Sequence, residues 1–263
     1  MFNEKGRDIK NQRKNFLLYN IMEPKNIILF VVIIVLLIIV IGYIAKDVNT
    51  LTGLTEGTTM QKIEASDLDT NNSNSSNFTY SIWFYIDDWN YNYGKPKVIF
   101  GRMTTGTEKK EPCPSVVLGA TQNNIAVSLA VYPGEDSVPE DDSNFIVHTC
   151  AVANIPIQKW VNLFISVYGR TLDIYIDGKL VRTCVLPGTA VIDANAPVYI
   201  TPYGGFSGWT SNFQYWSDAS DPQKAWNTYK KGYGSSMLGG IFGKYTIKIS
   251  LMEGDTEDQS VSI

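Results

Sequence analysis

The chain has 263 residues, 22 of them basic and 26 acidic, with 12% aromatic and 18% charged content. A net charge of −4 supplies no basic face for nucleic acid, and the aromatic content describes a folded, β-rich chain, not a disordered one.

Residues 1–25 carry six basic groups (Lys5, Arg7, Lys10, Arg13, Lys14, Lys25) against three acids. Residues 26–45 follow without a single charge and are apolar all round. A helix of that length spans roughly 30 Å, the hydrocarbon thickness of a bilayer. A cleaved signal peptide fits less well, because its apolar core is shorter and bulky Tyr43 stands where a small residue is wanted. The sequence therefore predicts a single transmembrane helix. Its basic flank places the N-terminus in the cytoplasm and the remaining chain across the membrane. That remainder holds 16 basic and 23 acidic residues, a net −7.

Residues 46–77 read as a polar linker ending in an Asn/Ser tract. Three N-x-S/T sequons, at Asn71, Asn74 and Asn77, are candidate glycosylation sites. From Phe78 the pattern becomes alternating and β-prone. Strands are expected over 78–86, 98–100, 115–118, 124–132, 145–152, 160–168, 171–176, 179–185, 198–201 and 207–216. Tyr168-Gly169-Arg170 and Asp177-Gly178 mark hairpin turns. The spacing indicates an antiparallel sandwich.

Two connections carry binding chemistry. The loop 87–95 interleaves Trp89, Tyr91 and Tyr93 with Asn90 and Asn92, a mixture of aromatic platforms and amides suited to a glycan or a protein partner. The acidic loop 135–142 offers Asp136, Asp141 and Asp142 as candidate calcium ligands, although simple solubility explains them equally. No cofactor is required by any motif. Cys113, Cys150 and Cys184 allow one bridge and one free thiol, or three buried thiols. His148, the only histidine, reads as a strand residue.

Asp221-Pro222 is a helix start and Gly232 a stop, so one short helix is expected. Residues 233–263 form an extension with a strand over 244–251. Its Tyr245, Ile247, Ile249 and Leu251 share one face, available to the protein's own sheet or to a partner's edge.

The segment 160–181, with Trp160 opening a strand and Tyr175-Ile-Asp-Gly-Lys-Leu180 forming a hairpin, resembles the concanavalin A-like, laminin-G-like lectin/glucanase superfamily. The strand from Phe78 and the segment 206–222 resemble that family's first and closing strands. The resemblance spans 78–232 and implies an all-β, two-sheet antiparallel jelly-roll sandwich with one short C-terminal helix. It also implies that Trp160 and Tyr175 are framework aromatics of the core. The family's glycosidases place Glu-x-Asp-x-x-Glu on one strand, and no such segment occurs here, so no enzymatic activity is expected. Family domains on a single N-terminal anchor occur among membrane proteins of large DNA viruses, and the Asn-rich, Ile/Lys-rich style is similar to those. That likeness implies a virion part linking an internal membrane to capsid proteins. A membrane-displayed lectin or adhesion module is the alternative.

Overall fold

The computed structural model describes residues 29–30, 32–37, 40, 49–68, 76–105, 110–134 and 144–234, and the backbone alone of 248–253 and 256–262. The chain divides into two compact units at Lys46. In the first, residues 29–30, 32–37 and 40 are helical with exposed apolar side chains such as Phe30 and Leu36. Among the described residues no helix is long and apolar enough to cross a membrane, and the remainder of the 26–45 run lies outside them.

The second unit is a sandwich of two six-stranded sheets. Its strands are β1 (Thr55–Glu56), β2 (Gln61–Ile63), β3 (Phe78–Asp88), β4 (Lys97–Met103), β5 (Pro112–Leu118), β6 (Asn124–Val131), β7 (Ile146–Ala153), β8 (Trp160–Tyr168), β9 (Thr171–Ile176), β10 (Lys179–Val185), β11 (Val198–Ile200) and β12 (Ser207–Trp216). One sheet runs β1-β12-β3-β8-β9-β10 and the other β2-β11-β4-β5-β6-β7, with antiparallel pairing throughout.

Period-two alternation builds the core between the sheets. Phe78, Tyr80, Ile82, Phe84 and Ile86 of β3 point inward, opposite Val116 and Leu118 of β5 and Ile125, Val127 and Leu129 of β6. Tyr80 sits at the centre, 5.5 Å from the Phe100 ring, 5.8 Å from Phe213 and 4.9 Å from Tyr215. Each such side chain contributes roughly 1.5–3 kcal/mol on burial. Arg102 is also buried; its Nε donates to the Ala196 carbonyl at 3.0 Å and its Nη1 to the Tyr80 hydroxyl at 3.4 Å. Those bonds offset part of the cost of a charge taken out of water. A disulfide between Cys150 of β7 and Cys184 of β10 joins the last strands of the two sheets, and Cys113 is the buried free thiol. Of the two cysteine arrangements the sequence allows, the structure has the bridge.

Asp177 and Gly178 both adopt positive φ, as the tight β9–β10 turn requires. Helix α1 (Pro222–Lys231) is capped by Asp221, whose side chain accepts from the Lys224 amide at 2.7 Å. Its Ala225 packs on Phe164 and Tyr175, covering part of the outer face of the first sheet. Tyr175 is thus a buried framework aromatic. Trp160, expected in the core, lies half-buried on that outer face, stacked on Tyr233 at 4.4 Å and 5.8 Å from Tyr85. The register puts Trp160 opposite Tyr85, one residue out of phase with inward Val161 and Phe84.

Two segments differ from expectation. The polar stretch 46–77, read as a linker, is folded from Asn49 to Leu68. Thr50 bridges Gln214, β1 pairs with β12 and β2 with β11. Short polar edge strands carry too little alternation to be seen in sequence. At the other end, the described strand β13 (Lys248–Glu253) pairs with β14 (Thr256–Ser262) in a hairpin, separate from both six-stranded sheets. Of the two uses open to the strand of Ile249 and Leu251, pairing with either six-stranded sheet is not what the described backbone shows. Tyr245 and Ile247 lie outside the described residues.

Candidate binding site

Two connections meet at the end of the sandwich where Asp88 of β3 pairs with Ser207 of β12. The first is the loop after β3. The Asp88 carboxylate accepts from the Asn90 amide at 2.9 Å, Tyr93 N donates to the Asn90 carbonyl and Lys95 N to the Asn92 carbonyl, each at 3.0 Å. These turns are what an Asp/Asn/Gly-rich segment forms most readily. They send the candidate residues in different directions. Trp89 packs on the core, and the Lys97 Nζ lies 4.6 Å from its ring centroid. Lys97 is fully covered and its ammonium has no hydrogen-bond partner among the described residues, so the ring face is its compensation. Desolvation lowers the Lys97 pKa, with the Asp88 charge opposing. Asn90 holds the turn, and Tyr93 is 60% exposed. Tyr91 and Asn92 border the second connection: a side chain at Gly204 would come within 3.4 Å of the Tyr91 hydroxyl and 3.9 Å of Asn92 Nδ2.

That second connection is the turn after β11. Thr201, Tyr203, Gly204 and Gly205 all have positive φ, of 47°, 58°, 81° and 43°. For a bulky residue such as tyrosine this costs on the order of 1–3 kcal/mol and persists only where the surroundings impose it. They do so here. The Thr201 amide donates to the Ile99 carbonyl at 2.9 Å, its hydroxyl to Thr59 at 2.7 Å, and Phe206 N to Gly57 at 3.1 Å. Gly205 must be glycine, because a Cβ there would sit 2.2 Å from the Gly57 carbonyl oxygen. The consequence is Tyr203, 94% exposed and fixed at the rim of the second sheet.

Beneath Tyr203 a cleft of about 480 Å³ opens on the outer face of that sheet, bounded by Met60, Met103, Thr105, Lys110 and Tyr199. Strand register supplies its floor: Tyr199, Gly101 and Ser115 stand side by side on β11, β4 and β5. Beyond the cleft the same row continues through Ser128 of β6 and Thr149 of β7. The Ser128 and Thr149 hydroxyls are 2.9 Å apart. Gly101 leaves the floor open, since a Cβ there would meet only Ser115 Oγ at 3.8 Å. Burial alone would raise the Asp193 carboxyl, but hydrogen bonds from the Thr105 hydroxyl and amide and the Asn195 amide hold it below the usual range. Thr105 is pinned to the rim as a result. A half-buried and an exposed tyrosine, the small hydroxyl residues Thr104, Thr105 and Ser115, and one lysine can take a ligand with apolar C–H faces and many hydroxyls.

The other sequence candidates lie elsewhere. Asp136, Asp141 and Asp142 fall outside the described residues, as do Asn71 and Asn74. Among the described residues no cluster of His, Cys, Asp and Glu could hold a metal ion. Asn77 sits against the sheet, its Oδ1 accepting from Gly169 N at 2.8 Å, and the sequon's Thr79 is buried with its hydroxyl donating to the Asp218 carbonyl at 2.8 Å. His148 is a half-buried strand residue opposite Leu129. Tyr203 was not singled out from sequence. The signal was there: Thr201-Pro-Tyr-Gly-Gly205 is a turn composition with an aromatic at its tip.

A two-sheet sandwich with an open sheet face and loops gathered at one end defines the class of the protein. The chain belongs to the concanavalin A-like lectin/glucanases superfamily, whose laminin-G-type family matches residues 57–225. Its fold is similar to the receptor-binding domain of botulinum neurotoxin mosaic serotype C/D (12% identity, 72% of this chain and 50% of that one, TM-score 0.48). It is also similar to the serotype D ligand-binding domain solved with N-acetylneuraminic acid (14%, 70% and 49%, 0.47). The chain spans about half the length of these domains. No curated protein matches it.

Proposed function

We propose that this protein is a non-enzymatic, membrane-anchored lectin-like module with a glycan-binding cleft. The observation that carries this reading is Tyr203, held in solvent by left-handed backbone over an open, hydroxyl-lined sheet face. Strain of this kind is kept where a side chain has to be presented. The Cys150–Cys184 bridge suits an oxidising compartment, in keeping with a cytoplasmic N-terminus and a translocated sandwich. The test is a glycan panel probed with the full chain in detergent. Selective binding that Tyr203→Ala abolishes supports the proposal, and binding of no glycan, or binding indifferent to Tyr203, removes it. Protease protection on microsomes tests the topology.

A second reading, a virion part linking a membrane to capsid proteins, is favoured by the hairpin β13–β14, which pairs with neither sheet and so has outer edges for a partner strand. Deleting residues 235–263 then leaves the sandwich folded and glycan binding unchanged but removes the protein from purified particles.

A further inference from the structure

Strand register sets a row of rings on the outer face of the first sheet. Trp209 of β12 stands opposite Tyr85 of β3, and Tyr85 stands opposite Trp160 of β8. Tyr85 is one residue out of phase with inward Phe84, so all three side chains lie on the solvent side. The Tyr85 centroid is 5.7 Å from that of Trp209 and 5.8 Å from that of Trp160. Both indoles are inclined to the Tyr85 plane, by 61° and 57°, so the row is stepped and not a flat platform. Tyr233, stacked on Trp160 at 4.4 Å, holds that ring in place. Trp209 is 39% exposed, and Tyr85 and Trp160 also keep part of their surface in solvent.

The row ends on a carboxylate. Glu56 of β1 stands opposite Trp209 and is exposed, and Asp87 is exposed two residues beyond Tyr85. Among the described residues neither carboxylate is in an ion pair. The lysine beside Trp160, Lys159, is taken by Asp177 at 3.0 Å. Ring faces and free carboxylates together favour a cation. Neighbouring centroids less than 6 Å apart let a cation over one ring reach the next, since that attraction extends to about 6 Å. The chemistry then selects among cations. An ammonium brings three N–H donors and a guanidinium five, and the rings supply no lone pairs for them. A quaternary ammonium brings none, and its rounded shell of methyl groups suits ring faces in different planes. We propose that this row binds a quaternary ammonium cation of the choline type, its methyl groups on Trp209, Tyr85 and Trp160 and its charge balanced by Glu56. A phosphate attached to the cation would be repelled by Glu56 and Asp87, so choline itself fits better than phosphocholine. The row lies on the other sheet from the Tyr203 cleft, and the inference rests on neither the glycan reading nor the anchor.

Saturation-transfer difference NMR on the methyl protons of choline, with the full chain in maltoside detergent, tests it. We expect transfer to choline, weaker binding of phosphocholine, and weaker binding still of dimethylbutanol, the neutral isostere in which carbon replaces the nitrogen. Trp209→Ala should weaken choline binding by about three- to tenfold, the share of one ring, and Trp209→Phe should restore most of it. Glu56→Gln should weaken choline and leave the neutral isostere unchanged. Trp209 and Glu56 are both exposed, so these variants keep the wild-type fold, and recovery in Trp209→Phe separates loss of the ring from loss of structure. No transfer to choline in the wild type, equal binding of the neutral isostere, tighter binding of phosphocholine, or unchanged binding in Trp209→Ala each overturns the proposal. Tyr203→Ala binds choline as the wild type does and Trp209→Ala keeps glycan binding, so a failure here is distinct from a failure of the lectin reading.

Discussion

Removing the inter-sheet bridge by Cys150→Ala/Cys184→Ala should cost about 4 kcal/mol. The bridge closes a loop of 34 residues between β7 and β10, the terminal strands of their sheets, with Cα atoms 6.3 Å apart. In the chain-entropy treatment a loop of that length constrains the unfolded chain by about 4 kcal/mol at 25 °C. In a sandwich of this size each kcal/mol moves the melting temperature by about 2–4 °C, so the double variant should melt about 8–15 °C lower. Thermal melting of the full chain in mild detergent, followed by near-ultraviolet circular dichroism, reads the shift. Thiol titration provides the companion measurement: one reactive thiol per chain, Cys113, after unfolding without reductant, and three after reduction. A melting temperature unchanged to within a degree or two, or three reactive thiols before reduction, refutes the reasoning.

Trp160→Ala should cost about 2–3 kcal/mol, below the about 3–5 kcal/mol of a fully buried tryptophan, because the ring between Tyr233 and Tyr85 keeps part of its surface in solvent; denaturant titration checks this, and a loss of 4 kcal/mol or more would return Trp160 to the core. Gly205→Ala should destabilise by more than about 1 kcal/mol and lower glycan affinity with it, since the new Cβ meets the Gly57 carbonyl and the turn presenting Tyr203 has to shift. Burial pushes the Cys113 thiol up to about 11 from 9.0. The folded chain therefore holds that proton where the unfolded chain has released it, and stability falls as pH rises from 9 towards 11, by up to about 3 kcal/mol. Chemical denaturation across that range should show a shallower decline in Cys113→Ala than in the wild type.

Much of the sandwich is legible in sequence because its strands are half-buried or fully buried with strict alternation. The 78–86 run places five large apolar residues on one face, and β3 buries those five. Asp177-Gly178 and Asp221-Pro222 are equally direct, since few other residue pairs satisfy their backbone. What escapes the sequence is set by tertiary contacts. The strands β1 and β2 are two and three residues long and mostly polar, and only pairing to β12 and β11 makes them strands. The Cys150–Cys184 pairing depends on which strands end the two sheets. In the loop after β3, composition suggested five binding residues, but Lys97 beneath Trp89 turns that ring inward. Tyr91 and Asn92 reach the site only because the 201–205 turn lies against them. Burial of Arg102 and Lys97 has no local signature, as both look like ordinary surface charges until the strands pair.

The central claim is that Tyr203 and the cleft beneath it bind a glycan. Isothermal titration of the strongest glycan from the panel into wild type, Tyr203→Ala and Trp209→Ala tests it most directly, Trp209 being a partly exposed aromatic on the other sheet. Loss of one stacking aromatic should weaken binding by about 5- to 30-fold, equivalent to about 1–2 kcal/mol. The account predicts that loss for Tyr203→Ala alone, with Trp209→Ala binding as the wild type does. Equal affinity of Tyr203→Ala and wild type, or a loss confined to Trp209→Ala, contradicts it.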